Sequence, residues 1–180
     1  MKILYLILIV SLGISTSCNN DDDQPRKPID QLPAATQSGE QTFGCLINGE
    51  VFIPDNFGRG RPNAFYQFVN GAYTLGIHAS NKSGEELLSV GLGALHVEPV
   101  QETQYILNSE ASGNFYGIYL LGGGLTLDTT TTNNSPGTIN ITNFDPENFI
   151  ISGTFEFTVF DNEGNEIKIT DGRFDMLYTN

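Results

Sequence analysis

Apolar and polar residues alternate at period two through much of the chain, and the clearest case lies near its end. Between Ile150 and Tyr178, Phe155, Phe157 and Val159 fall on one face and Thr154, Glu156 and Thr158 on the other. That is the pattern of a half-buried strand. The run Asp161-Asn162-Glu163-Gly164 supplies a turn, with Gly164 placed where positive φ costs least. Ile167 and Ile169 then resume the alternation, so the pattern predicts one long hairpin.

Earlier segments read the same way. Apolar runs flank Asn48-Gly49 and Asn70-Gly71, and Asn-Gly between two such runs is a strong short-range hairpin signal. Tyr73, Leu75, Ile77 and Ala79 share a face, as do Leu88, Val90, Leu92 and Ala94, while Phe115–Leu121 is apolar on both faces. Thr138–Phe144 alternates again, and Leu125–Thr132 begins as a strand and decays into the polar low-complexity run from Thr129 to Gly137. No window sustains a 3.6-residue period with caps. The expectation is an all-β fold, a single antiparallel β-sandwich or barrel of about ten strands over residues 42–180.

The first 41 residues follow a different pattern. Lys2 precedes an apolar stretch from Ile3 to Ile14, too short for the roughly 20 residues that span a bilayer. Ser15, Thr16 and Ser17 then lead into Cys18. Small residues before a Cys, straight after such a stretch, resemble a bacterial lipoprotein cleavage site, although Ser15 stands where an aliphatic is usual. Residues 1–17 are therefore read as a lipoprotein signal peptide and Cys18 as the lipidated residue. Residues 18–41 are read as a flexible tether, because their prolines, acids and amides offer no apolar periodicity to offset the entropy of ordering. The acidic run Asp21-Asp22-Asp23 resembles an export signal for the outer face of the outer membrane.

Charge and cysteine count narrow the classes of function. The formal charge is −13, and a signal that removes Lys2 and no acid makes it one unit more negative. Phosphate neutralisation needs the opposite sign, so nucleic acid is not an expected partner. With Cys18 lipidated, Cys45 has no intramolecular partner, and in its apolar run it reads as a buried, inert thiol.

Thr42–Pro54 (TFGCLINGEVFIP), ITNFD in the middle, and ISGTFEFT with ITDGRFD at the end resemble a family of Bacteroidota lipoproteins known only as a domain of unknown function. The resemblance implies an outer-membrane, lipid-anchored location, facing the cell exterior. It carries no activity and no site residue.

Candidate chemistry is sparse. His78 and His96 are the two histidines, and no HxH, HExxH or CxxC spacing joins them to other ligands, so no metal and no cofactor is expected. Asp161, Glu163, Asn165 and Glu166 crowd one turn, but Gly164 stands where a hairpin wants it and not where a calcium loop does. No nucleophile elbow appears, and no carboxylate pair stands out for glycoside cleavage. Aromatic residues are plentiful, among them Phe65, Tyr66, Phe68, Tyr73, Tyr105, Phe115, Tyr116 and Tyr119. Large apolar residues are normally inside, so burial between sheets is the ordinary reading of these rings; exposed Tyr would suit sugar or protein binding.

Two patterns remain. Asp128-Thr129-Thr130 resembles an O-glycosylation site centred on Thr129. Gly76, Gly91, Gly93 and Gly117 interrupt strands, where glycine costs roughly 0.5–1 kcal/mol relative to alanine. They are expected either to lie under bulky neighbours or to floor a groove. The function expected from these observations is a non-enzymatic binding or interaction module, lipid-anchored at the membrane, with an unknown protein or glycan ligand. The alternatives are a structural component of a surface complex acting through β-edge pairing, and a glycan-active enzyme.

Overall fold

The computed structural model describes residues 26–56, 58–83 and 86–180. The signal peptide, Cys18 and the acidic run Asp21–Asp23 lie outside the described residues. Eleven strands follow a short 3-10 turn at Pro28–Gln31. They are β1 (Thr42–Ile47), β2 (Glu50–Phe52), β3 (Asn63–Val69), β4 (Ala72–Ser83), β5 (Glu86–Val97), β6 (Gln104–Leu107), β7 (Phe115–Leu121), β8 (Leu127–Thr130), β9 (Gly137–Asp145), β10 (Ile150–Phe160) and β11 (Glu166–Thr179).

The strands form two antiparallel sheets joined at both seams. One sheet runs β8-β7-β5-β4-β3 and the other β6-β9-β10-β11-β1-β2. The seams are short parallel pairings, Tyr178↔Ala64 and Thr179↔Phe65 between β11 and β3, and Leu107↔Phe115 between β6 and β7. Because β10 also pairs with β11, eight strands close into a flattened barrel, with β1, β2 and β8 added at the edges. The two parallel seams are the departure from the wholly antiparallel expectation.

Local chemistry places the turns where the sequence signals them. Asn48 and Gly49 take φ of 51° and 85°, and Asn70 and Gly71 take 53° and 89°. Both are two-residue turns with positive φ at each centre, the geometry whose twist matches the flanking strands. The Asp161 carboxylate accepts the Glu163 and Asn165 amides, both at 2.8 Å, and the Asn165 side chain at 2.8 Å. These bonds hold its pKa below the ordinary carboxylate range. The acidic cluster is thus bonded within its own turn.

Two bulges re-aim side chains. On β11 the register shifts by one residue, between Ile169 and Gly172 against β10 and between Thr170 and Arg173 against β1. Asp171, at φ 53°, is the extra residue. Ile169 points into the core before the bulge, and Gly172, Phe174, Met176 and Tyr178 point in after it. On β5 the shift falls between Ala94 and Val97, with His96 at φ 49°. An extra residue reverses which face the following positions occupy.

The core fills the space between the sheets. Ile77, Val90, Leu92, Ile139, Ile141, Ile151, Phe155, Phe157, Ile169, Phe174 and Met176 are all buried there. Cys45 is fully enclosed among them, and burial pushes its thiol pKa far up. Thr131, in the polar low-complexity tract, is also buried. Its hydroxyl donates to the Asn108 carbonyl at 2.5 Å and accepts the Gly117 amide at 2.9 Å. The tract therefore runs as β8 followed by a pinned turn.

The segment ahead of β1 departs from the expected tether. From Pro28 onward it lies against the domain, with Leu32 buried and the Pro33 carbonyl accepting from Arg173 at 3.4 Å. Its anchor is Asp175, which sits on the outer face of β11 yet is 1% exposed because this segment covers it. The carboxylate accepts the amides of Ser38 (3.0 Å), Gly39 (2.8 Å) and Glu40 (3.1 Å) and the Ser152 hydroxyl (2.7 Å). A sequence pattern of polar residues and prolines hides this docking, because the partners are backbone amides rather than apolar side chains.

Burial of Asp175 would raise its pKa, but the hydrogen bonds to the charged form outweigh it and the net shift is downward. A depressed folded pKa stabilises the protein above the unfolded value near 3.9, and that contribution is lost as pH falls through the folded pKa. Asp175→Asn is expected to cost roughly 2–3 kcal/mol at neutral pH, since hydrogen bonds to charged groups are worth about 1.5–3 kcal/mol. Urea melts from pH 7 to 2.5 should show the difference between the two proteins shrinking below about pH 4. A constant difference would mean that the charge on Asp175 is not what holds residues 38–40.

Candidate functional site

The outer face of the β3–β4–β5–β7–β8 sheet carries the feature that a solvated sheet face does not need. Register sets its rows. Phe65, Gly76, Gly93 and Tyr116 are consecutive cross-strand neighbours, and Asn63, His78, Gly91, Ile118 and Thr130 form the next row. Beyond them come Ser80, Ser89, Leu120 and Asp128.

In the first row the rings lie on the glycines. A Cβ on Gly76 would overlap the Phe65 ring, and one on Gly93 would overlap the Tyr116 ring. This is the covering of strand glycines by cross-strand aromatics. Gly91 is different. A Cβ there would stand 3.2 Å from the Ile77 carbonyl oxygen, 3.3 Å from His78 Cβ and 3.5 Å from Ile118 Cδ1, and no ring crosses it. Above it lies a cavity of about 300 Å³ with a mostly apolar lining. Gly91 floors it, Ile118 and Leu120 wall one side, His78 the other, and the Phe65 and Tyr116 rings close one end. Partial burial lowers the His78 pKa, which favours the neutral ring. At the other end the Ser80 and Ser89 hydroxyls bond to each other at 2.7 Å, so neither leaves an unpaired polar group beneath the groove.

The structure separates the four glycines expected to act together. Gly76, Gly91 and Gly93 share the outer face. Gly117 lies on the opposite face of β7, paired with Leu92, where a Cβ would sit 2.8 Å from ring atoms of Phe157. It is a core position that admits the Phe157 ring, not part of the groove. The reason is parity: Gly117 is flanked by Tyr116 and Ile118, both outward, and in a run apolar on both faces the sequence does not tell them apart.

The remaining candidates fall elsewhere. His96 is in the β5 bulge, at 3.4 Å from the Ser112 hydroxyl, and does not meet His78. No group of three His, Cys, Asp or Glu side chains is arranged to hold a metal among the described residues. Thr129 lies on the edge strand β8, half-buried and paired with Tyr119 on the core-facing side, while Asp128 is exposed. Of the aromatic set, Tyr66, Phe115, Tyr116 and Tyr119 are buried, and Phe68, at 64% exposure, is the most open. Sequence reasoning missed Ile118 and Leu120 as walls, though the two-faced apolarity of β7 was a signal that its outer face is also covered or occupied.

Residues 63–177 match the family described as "Domain of unknown function (DUF6252)". The chain belongs to this family. The DUF6252 match begins at β3 and runs into β11, so it contains every strand of the closed barrel and the whole groove; β1 and β2 lie before it. No curated protein and no solved structure matches the chain.

Substitutions should separate the two glycine roles. Gly117→Val forces a side chain into the Phe157 ring within the core, and overpacking of this kind costs roughly 1–3 kcal/mol. Gly91→Val sets its Cβ 3.2 Å from the Ile77 carbonyl oxygen and 3.3 Å from His78 Cβ but displaces no ring, so it should cost about 1 kcal/mol less than Gly117→Val. Paired thermal melts check this. Equal destabilisation by both variants would show that Gly91 is covered as closely as Gly117.

Proposed function

We propose that the protein is a non-enzymatic binding module, lipid-anchored through Cys18 in the outer membrane and displayed outward, with the groove over Gly91 as its ligand site. The observation that carries the reading is a concave apolar surface on the solvent face of a sheet that already has a complete core on its other side. Scattered exposed apolar residues are normal, but a contiguous concave set calls for an occupant. Ligand sites are typically apolar hollows with a few polar groups at the rim, and here the rim groups are His78 and Thr74.

The other readings have less support. Edge pairing needs long unpaired edges, and the terminal edge strands β2 and β8 hold three and four residues. For glycan cleavage, Glu156 and Asp171 do line one polar depression on the opposite sheet. Both are exposed, whereas a catalytic acid is usually enclosed so that its pKa rises.

Two measurements test the proposal. Cys18→Ala, exported behind an ordinary cleavable signal in place of residues 1–17, should move the protein from the membrane to the soluble fraction, because acyl burial contributes about 0.8 kcal/mol per methylene and no helix among the described residues is long and apolar enough to span a bilayer. Retention in the membrane fraction would overturn the anchor. A neutral solvatochromic dye should bind the folded protein at one saturable site, and Gly91→Val should abolish that binding at a temperature where the melt shows the variant folded. Undiminished binding to the variant would remove the groove as the site.

A further inference from the structure

We infer that the groove takes an amphipathic ligand, an apolar chain lying over Gly91 with an anionic head held at Arg61. This rests on the reading of the groove as a ligand site and adds its chemical class. His78, the wall of the groove on β4, also lines a second, polar depression with Arg61, Asn63 and Gln41, so one side chain borders both hollows.

The register measures the path. Gly91 is opposite His78, and His78 is opposite Asn63. Two inter-strand spacings of roughly 4.8 Å put Asn63 about 10 Å from the groove floor. Arg61 precedes Asn63 by two residues, beyond the end of β3, and is exposed. The floor is one strand wide, between walls on β4 and β7, which suits a linear chain better than a fused ring system.

Charge gives the head its sign. In a chain of formal charge −13, a cation at the mouth of the main apolar hollow runs against the general field. Arg61 makes no ion pair among the described residues, where Lys168–Glu166 is the pair formed. Asp55, the acid nearest in the chain, packs against Gly60 and accepts the Lys82 amide at 3.1 Å. Among the described residues the guanidinium pairs with no carboxylate, and as a planar fork it matches a ligand carboxylate. Elsewhere the acidic surface repels anions, so an anionic amphiphile is steered to this mouth.

The test uses decanoate and decanol, which share a chain and differ in head charge, below the concentrations at which either self-associates. The protein is the mature chain, residues 18–180 with Cys18→Ala, studied without detergent. Binding is followed through the amide and methyl resonances of Gly91 and Ile118. Decanoate should shift both saturably and bind at least tenfold more tightly than decanol. Arg61→Gln should reduce decanoate to the affinity of decanol, and Gly91→Val, shown by its amide spectrum to be folded, should remove both. Equal affinities unaffected by Arg61→Gln would overturn the anionic head while leaving an apolar site in place. Failure of both probes to move the Gly91 and Ile118 resonances would overturn the inference and the groove reading together.

Discussion

The fold depends on aromatic rings lying where glycine leaves room. Phe157 of β10 reaches across the core to Gly117 of β7 and also packs over Gly137 of β9. Phe155 lies on Gly172, and Phe174 on Gly153. At Gly117, Gly153 and Gly172 a Cβ would enter the ring's volume; the last two are cross-strand neighbours within one sheet, whereas Gly117 is the place where a ring of one sheet reaches the backbone of the other. Close packing leaves little room to move such a ring elsewhere. Closure of the barrel follows, since the seams are short and the core must hold the two sheets face to face.

Bulges decide what the closed barrel presents to solvent. Without the extra residue at Asp171, Phe174 and Met176 would leave the core and Arg173 and Asp175 would enter it. With it, Asp175 points outward and becomes the acceptor on which residues 38–40 are fastened. The His96 bulge acts in the same way on β5: Leu92 and Ala94 stay inside, Val97 returns to the core, and Gly91 and Gly93 face out. The groove is thus a consequence of register, with small residues on the outer side of β5 between larger ones on β7 and β3.

The same arrangement divides polarity between the two outer faces. The β6–β9–β10–β11 face carries Gln104, Asn140, Thr154 and Arg173 as one polar cross-strand row. The β4–β5–β7 face instead carries Gly91, Ile118 and Leu120 with His78 beside them on β4, an apolar hollow where the other face is polar.

Much of this was legible in the chain. The all-β class, the Asn-Gly hairpins, the inward set Phe155, Phe157 and Val159, and the turn role of Asp161–Gly164 all follow from period-two alternation and from the steric freedom of Gly and Asn, which are local properties. Tertiary structure alone decided the rest, because each remaining feature depends on a partner distant in sequence. Docking of residues 28–41 depends on Asp175, about 135 positions away. The seams depend on β11 meeting β3 and β6 meeting β7. The separation of Gly117 from Gly76, Gly91 and Gly93 depends on register, which sequence cannot show in a strand apolar on both faces. A groove exists only where three strands align small against large, and no single strand encodes that alignment.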